Sequence, residues 1–345
     1  MTNSMATPPN LPLSGEERLG SPPDKGELEG VLFPLLHTKL IEKYRSHDMK
    51  NYLFFALFLL AFPVHAALNV FACEPEWAAL TQQLAGDKAN IYTATAALQD
   101  PHQIQARPSL IAKARSAQLL VCTGAELEVG WMPVVLQESA NSRIQPGSSG
   151  HFEAAKYVTM LEVPTRLDRA SGDVHAAGNP HIQTDARNFL PIAEALGKRL
   201  IELDPANAAY YQQRLTTFTQ QWRAAIAKWE KQAAPLRGIP VIVHHKGFPY
   251  MNDWLGLVEV AELEPKPGME PSAAYLGKVL NDLQQHPARM VLRAAYQSER
   301  PSEWIAERAH VPAVMLPYTV GGTPQATDLF SLFDDTIARL LAGLK

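Results

Sequence analysis

The sequence predicts an α/β protein of two lobes, each a parallel sheet flanked by helices, joined mainly by helix. Three observations carry this. Strand-like apolar runs alternate with helical stretches from Leu68 onward. The alternation stops near residue 186 and restarts at Gly238. Between the two blocks runs a long helical stretch carrying Tyr211, Leu215, Phe218, Trp222, Ile226 and Trp229 at steps of three or four, the spacing of a buried helical stripe. Strand–helix alternation of this kind builds a parallel sheet with helices on both faces.

In the first block, Leu68–Cys73 reads as a strand. Pro75–Leu84 follows as a helix with Trp77, Leu80 and Leu84 on one face. Ala89–Ala94 is the second strand, Pro108–Ala114 a helix, Gln118–Thr123 the third strand, Glu126–Glu138 a helix and Lys156–Leu161 the fourth strand. Ser139–Gly150 is polar and rich in Gly, Ser and Pro, so it reads as a loop. Two helices, Ala186–Leu203 and Asn207–Ala234, form the connection. The second block then has strands at Ile239–His244, Leu257–Leu263, Met290–Arg293 and Val314–Leu316. Its helices are expected at Phe248–Leu255, from a Ser272 cap to Gln285, at Pro301–Ala309 and at Leu329–Leu344. These patterns divide the chain into lobes at 67–185 and 238–345, with linking helices at 186–237.

The N-terminal part is of another kind. Met49–Ala66 has a lysine, an apolar run from Tyr52 to Val64 and the small-residue ending Val64-His65-Ala66, the layout of a secretory signal peptide. The run is shorter than the ~20 residues needed to cross a bilayer. Cleavage is expected after Ala66, with residues 1–48 a mis-assigned or disordered extension and the mature protein in the periplasm. Lipidation at Cys73 is disfavoured, because Phe71 is bulky where a small residue is wanted and Leu68–Ala72 makes a better strand.

Charge excludes some partners. With Lys+Arg 31, Asp+Glu 35 and a net charge of −4, the chain has no electrostatic footprint for nucleic acid or an anionic membrane. Two cysteines, Cys73 and Cys122, end the first and third strands. These strands are neighbours in a doubly wound sheet of order 2-1-3-4. The pair is expected to lie close, either as a disulfide, which an exported chain permits, or as two buried thiols.

Three histidines sit on turns near strand ends. His102 is in Asp100-Pro101-His102, His181 in Gly178-Asn179-Pro180-His181, and His245 in Val243-His244-His245-Lys246-Gly247-Phe248. Ligands of open α/β sheets bind at the carboxyl ends of strands. Imidazoles from separate loops suit Zn²⁺, whereas Mn²⁺ prefers more oxygen. Taken singly, each histidine is more often a surface or core residue than a ligand; the shared turn context raises all three together. There is no HExxH and no paired CxxC. His175 reads as a loop residue that could line the cleft, and His244 rivals His245, since residues alternate sides along a strand. His151, His286 and His310 read as surface or helix-end residues. The sequence Gly321-Gly322-Thr323-Pro324 lacks the lysine of a phosphate loop and reads as a turn.

At these residues the chain resembles the TroA-like (ZnuA-type) periplasmic family, the solute-binding proteins of zinc and manganese ABC importers. The motifs are Asp100-Pro101-His102, Pro180-His181 followed by Asp185-Ala186-Arg187-Asn188, His245-Lys246-Gly247-Phe248-Pro249-Tyr250, and Glu270-Pro271-Ser272. The third of these favours His245 over His244. The resemblance covers nearly all of Leu68–Lys345. It implies two Rossmann-like lobes joined by a long backbone helix, with the metal in the cleft between them. It further implies no enzymatic activity, a Zn²⁺ or Mn²⁺ cargo held by His102, His181 and His245, and delivery to a membrane permease driven by a cytoplasmic ATPase. A monomer is expected.

The sequence departs from the family in two places. The turn Leu316–Gly321 has no carboxylate where many members have an acidic ligand, and the His-rich acidic loop is missing between Glu162 and His181. The fourth ligand is therefore open to Asp328, Glu299 or water. Competing expectations are a zinc-dependent hydrolase, which needs a general base beside the metal water, an adhesin, and a binder of organic solutes.

Overall fold

The computed structural model describes residues 67–166 and 175–345. The expected signal peptide and the segment before it lie outside the described residues. Among the described residues, no helix is long and apolar enough to cross a membrane.

Two four-stranded parallel sheets form the frame. The first contains β1 (Leu68–Ala72), β2 (Ala89–Thr93), β3 (Leu119–Cys122) and β4 (His151–Glu153) in the order β2-β1-β3-β4. The second contains β5 (Pro240–Val243), β6 (Val258–Glu262), β7 (Met290–Ala294) and β8 (Ala313–Leu316) in the order β6-β5-β7-β8. The two sheets share one topology, and it is the order expected for the first.

Around the first sheet lie α1 (Pro75–Ala85), α2 (Pro108–Ser116) and α3 (Met132–Ser139). The connection is made by α4 (Phe189–Leu203) and α5 (Ala208–Gln232). Around the second sheet lie α6 (Pro249–Leu255), α7 (Ala273–Asp282), α8 (Glu299–Ala309) and α9 (Leu329–Ala342). Ser272 caps α7 by accepting a hydrogen bond from Tyr275 N at 3.2 Å.

Strand alternation separates two kinds of core. Leu68, Val70 and Ala72 of β1, Leu119 and Val121 of β3, and Val241 and Val243 of β5 face one shared core. The residues between them face outward, where Phe71, Leu120 and Cys122 pack on α2 and α3 and Ile242 and Val291 pack on α7 and α8. This is the two-residue periodicity of a strand buried on both faces. The shared core is filled by the aromatic stripe of α5, all six members of which are buried. Trp222 stacks on Phe218 at 5.2 Å, and its Nε1 donates to Ala186 O at 2.7 Å. Trp229 Nε1 reaches Asp334 of α9 at 2.6 Å. A buried indole N–H needs such a partner, so these two bonds fix the rotation of α5 against the segment before α4 and against α9.

Two expected elements differ. The fourth strand lies at His151–Glu153, in register with Leu120–Cys122, and not at Lys156–Leu161. Three residues are too few to show alternation. The apolar run that mimicked the strand is used otherwise: Tyr157 leaves the sheet and stacks on Phe152 at 5.0 Å. The helix expected from Glu126 begins at Met132. Ala125 and Glu126 have positive φ, and Pro133 is tolerated only in a first helical turn.

Cys73 and Cys122 form a disulfide across the β1–β3 pair, with Cα atoms 4.8 Å apart. The Cys73 sulfur is thus committed to a bond within the lobe.

Candidate metal centre

Each of the three histidines is set by local backbone chemistry at the carboxyl edge of a sheet or in the loop between lobes. His102 lies beyond β2. Asp100 Oδ1 accepts from His102 N at 3.0 Å and pairs with His102 Nδ1 at 2.8 Å, so one carboxylate fixes both the turn and the ring. His181 follows a constrained turn in which Gly178 has φ +104°. Asn179 Oδ1 accepts from His181 N at 3.0 Å, and Thr184 Oγ1 donates to His181 O at 2.9 Å. His245 stands two residues past β5, and Glu264 stands two residues past the adjacent β6. Neighbouring parallel strands end side by side, so His245 Nδ1 meets Glu264 Oε2 at 2.8 Å.

The three rings converge. Their centroids are 5.2 Å apart for His102–His181, 5.7 Å for His102–His245 and 5.2 Å for His181–His245. One nitrogen of each lies within 4.8 Å of the others. The Nε2 atoms of His181 and His245 are 3.1 Å apart, and His102 Nε2 is buried with no hydrogen-bond partner. Two nitrogens bound to one tetrahedral Zn²⁺ at ~2.0–2.1 Å stand about 3.4 Å apart, so the spacing fits a shared ion.

The hydrogen bonding around the rings favours ligation. Carboxylates on Nδ1 of His102 and His245 hold the proton there and turn the Nε2 lone pair inward, the outer-shell arrangement of metal-binding histidines. Among the described residues no carboxylate orients His181; its backbone bonds do. Burial, followed by the charges of His102, His245 and His175, pushes His181 well below the ordinary imidazole range. Burial raises Asp100, but its bonds and charge interaction with His102 outweigh this and hold it below the usual carboxylate range. His244 takes the other side of the strand end: its N donates to Leu292 O at 2.8 Å, and burial pushes its imidazole down to about 4.

Two cavities flank the histidines. One, of about 290 Å³, is lined by Glu162, His175, Asn179, Lys246 and Glu262 together with His181 and His245. The other, of about 330 Å³, is lined by Asp100, His102, His244, Glu264 and Tyr296 among others. Asp328 and Glu299, the carboxylates expected to offer a fourth ligand, line neither. Asp328 is the N-cap of α9, where its Oδ1 accepts from Ser331 N at 2.8 Å. The Glu299 side chain is 63% exposed and pairs with Arg293 at 3.6 Å.

Sequence reasoning missed Glu262 and Glu264, both of which bring an oxygen within 4.8 Å of a His245 nitrogen. Burial pushes Glu262 up to about 7. The available signal was positional: both lie at the end of the strand beside β5. His175 lies nearer the centre than a plain loop residue, with its ring 5.5 Å from that of His102.

This fold, with three imidazoles converging at the sheet edges, defines a two-lobed α/β binding protein. The family model described as ZnuA, zinc-uptake complex component A periplasmic, matches residues 70–343, and the chain belongs to this family. Members are substrate-binding proteins, not enzymes.

Among similar proteins, the manganese ABC transporter substrate-binding lipoprotein scaA of Streptococcus gordonii is 27% identical over 193 residues, a match spanning 51% of this chain and 59% of that protein. The manganese ABC transporter substrate-binding lipoprotein PsaA of Streptococcus anginosus is 22% identical over 254 residues, or 71% of this chain and 78% of that one. A crystal structure of ZnuA superposes with a TM-score of 0.67 at 21% identity, covering 81% of this chain and 100% of that chain. A Cd-bound periplasmic metal-binding protein from Candidatus Liberibacter asiaticus gives 0.66 at 18% identity, covering 80% and 99%. At these identities the structures are alike in fold.

Proposed function

We propose that this chain captures a divalent metal ion, Zn²⁺ before Mn²⁺, between His102, His181 and His245, and hands it to an ABC importer made of a membrane permease and a cytoplasmic ATPase. The observation that carries this is the convergence of three histidine nitrogens within 4.8 Å, two of them backed by carboxylates on the far ring nitrogen. The ion is cargo, so the site needs reversible binding and no chemistry.

The donor set supports zinc. Imidazole suits Zn²⁺, whereas Mn²⁺ stands at the weak end of the affinity order and favours oxygen. The two streptococcal relatives carry manganese in their names. A manganese reading of this chain would require Glu262 or Glu264 to turn an oxygen onto the ion. Export through the segment ending at Ala66 accords with the disulfide and with a family described as periplasmic.

The test is the metal content of protein purified without chelator, followed by a competition titration of Zn²⁺ against Mn²⁺. Zinc should dominate both. Equal affinity for the two ions would overturn the preference for zinc, and zinc binding unchanged in His181→Ala would overturn the site.

A further inference from the structure

Tyr318 lies in the turn after β8 and is held in a strained conformation. It is 7% exposed and has φ +67°, in the left-handed region that bulky side chains rarely adopt and that recurs at functional sites. Its neighbours fix it there. Thr319 N donates to Pro317 O at 2.8 Å and Gly322 N to Thr319 O at 3.1 Å. Thr319 Oγ1 donates to Glu76 in the first turn of α1, so the turn is tied to the other lobe. The Tyr318 ring packs on Phe248 and Tyr296, each at 5.5 Å.

Two contacts bring its hydroxyl to the histidines. The ring meets the His181 ring in a T-shaped contact at 5.7 Å. Gly247 leaves space on the other side: a Cβ there would lie 2.8 Å from Tyr318 Oη and 3.4 Å from His245 Cδ2. That carbon adjoins the His245 Nε2, which faces His181 Nε2 at 3.1 Å. The hydroxyl therefore stands on the metal-facing side of His245, in room that only a glycine at 247 leaves open.

The hydroxyl is buried with no hydrogen-bond partner. Gln183, two residues after His181, and Tyr296 act on it electrostatically, but neither closes a hydrogen bond to it. Gln183 Oε1 is a second buried oxygen without a partner, and the two side chains line the same small cavities. A buried oxygen left unbonded destabilises the fold that holds it, so each one asks for a reason. Here the reason is the centre beside them.

We propose that Tyr318 is a specificity-determining residue of the metal centre: its hydroxyl oxygen accepts a hydrogen bond from the water that completes the coordination of an ion held by His102, His181 and His245. The inference rests on the three-histidine reading above and adds the oxygen side of the site. Zinc held by three protein ligands keeps its fourth position for water, and a metal-bound water needs an acceptor for its protons. Burial, then the charges of Tyr296 and Glu76, push the Tyr318 phenol well above its ordinary range. It meets the water as a neutral group and brings no anionic oxygen to the ion. Mn²⁺ favours carboxylate oxygen, so a phenol in this place favours zinc.

The experiment compares the full chain with Tyr318→Phe and Tyr318→Asp, first without metal and then with Zn²⁺, Mn²⁺ and, as a spectroscopic probe, Co²⁺. Tyr318→Phe removes the hydroxyl and nothing else. Without metal it should melt at or above the parent, because an unbonded buried oxygen is gone. Its zinc affinity, read by competition with a chelator, should nevertheless fall about tenfold, and the visible bands of bound Co²⁺ should shift. A purely structural role would lower stability and leave the bands in place. Tyr318→Asp puts a carboxylate at a backbone conformation that Asp tolerates and should narrow the preference for zinc over manganese. Equal zinc affinity and equal Co²⁺ bands in the parent and Tyr318→Phe overturn the assignment and leave the histidine site standing, since that site is tested separately by His181→Ala. A Tyr318→Phe protein that is less stable than the parent without metal, or that does not fold, shows a packing role and overturns it as well.

Discussion

His245 and Glu264 leave adjacent parallel strands at the same edge of the second sheet and meet at 2.8 Å through Nδ1 and Oε2. The ring orientation of His245 is therefore set by a carboxylate just past the end of a different strand. Gly268 N also donates to Glu264 Oε2, at 2.8 Å, which ties the loop after β6 to the same oxygen.

Removing such a partner typically weakens metal affinity 10–100-fold. Glu264→Gln should lower zinc affinity by about that factor, measured by competition with a chelator of known affinity. Asp100→Asn should act in the same direction, because Asp100 Oδ1 serves both the backbone and the ring of His102. Affinity unchanged in both variants would mean that the carboxylates do not orient the ligands.

Zinc should stabilise the fold. Binding to the native state alone adds roughly 4 kcal/mol at a thousandfold excess over Kd. The melting temperature should rise with zinc, and replacing His102, His181 or His245 by Ala should remove most of that rise. Replacing His151, His286 or His310 should leave it nearly intact. Because imidazoles must lose their protons to bind, the rise should shrink below about pH 6. A scan of melting temperature against zinc and pH reads all of these.

The metal-free protein should show a second pH effect. The folded imidazole of His181 is depressed well below its ordinary value. Its contribution is therefore present above the unfolded value of about 6.5 and is lost as pH falls through the lower folded value. The parent should lose stability on acidification below about pH 6.5 relative to His181→Gln. Parallel curves for the two proteins would show that His181 does not titrate with folding.

The disulfide joins cysteines 49 residues apart. A loop of that length closes with an entropy equivalent to about 4 kcal/mol in the chain-entropy model. Cys73→Ser with Cys122→Ser should lower unfolding stability by an amount of that order, read by urea denaturation. A loss well under ~1 kcal/mol would mean that the pair contributes little beyond packing.

How much of this was legible in the sequence depended on whether a feature repeats. The α5 stripe repeats six times, so its helix and buried face were plain. The order of the first sheet followed from strand–helix alternation and the doubly wound arrangement. The fourth strand was not legible, because three residues carry no period and Tyr157 packs on Phe152 by ring stacking. The start of α3 was hidden by the left-handed residues Ala125 and Glu126, which have no mandatory residue type. The three histidines stood out because turn residues frame them. Glu262 and Glu264 did not, because only the lateral pairing of β5 and β6 brings them to His245. The contact between Glu76 and Thr319 was not legible either, because the two residues are 243 apart in the chain.

Gly178 ties local geometry to the metal centre. Its φ is +104°, and a Cβ there would lie 2.7 Å from Leu161 O and 3.2 Å from Met160 Cβ. Both the dihedral and the space require glycine. The residue opens the turn in which Asn179 Oδ1 holds His181 N and Asn179 Nδ2 reaches Lys246 O at 2.8 Å, beside His245. Gly178→Ala should therefore displace two histidines together. The expected result is a loss of more than ~1 kcal/mol of stability and a fall in zinc affinity. Gly277 is the control. It lies inside α7, and a Cβ there would meet nothing within 4 Å, so Gly277→Ala should gain about 0.5–1 kcal/mol and leave zinc affinity unchanged. Denaturation and zinc titration of the two variants decide it: if Gly178→Ala binds zinc as tightly as Gly277→Ala, the turn does not set the position of His181.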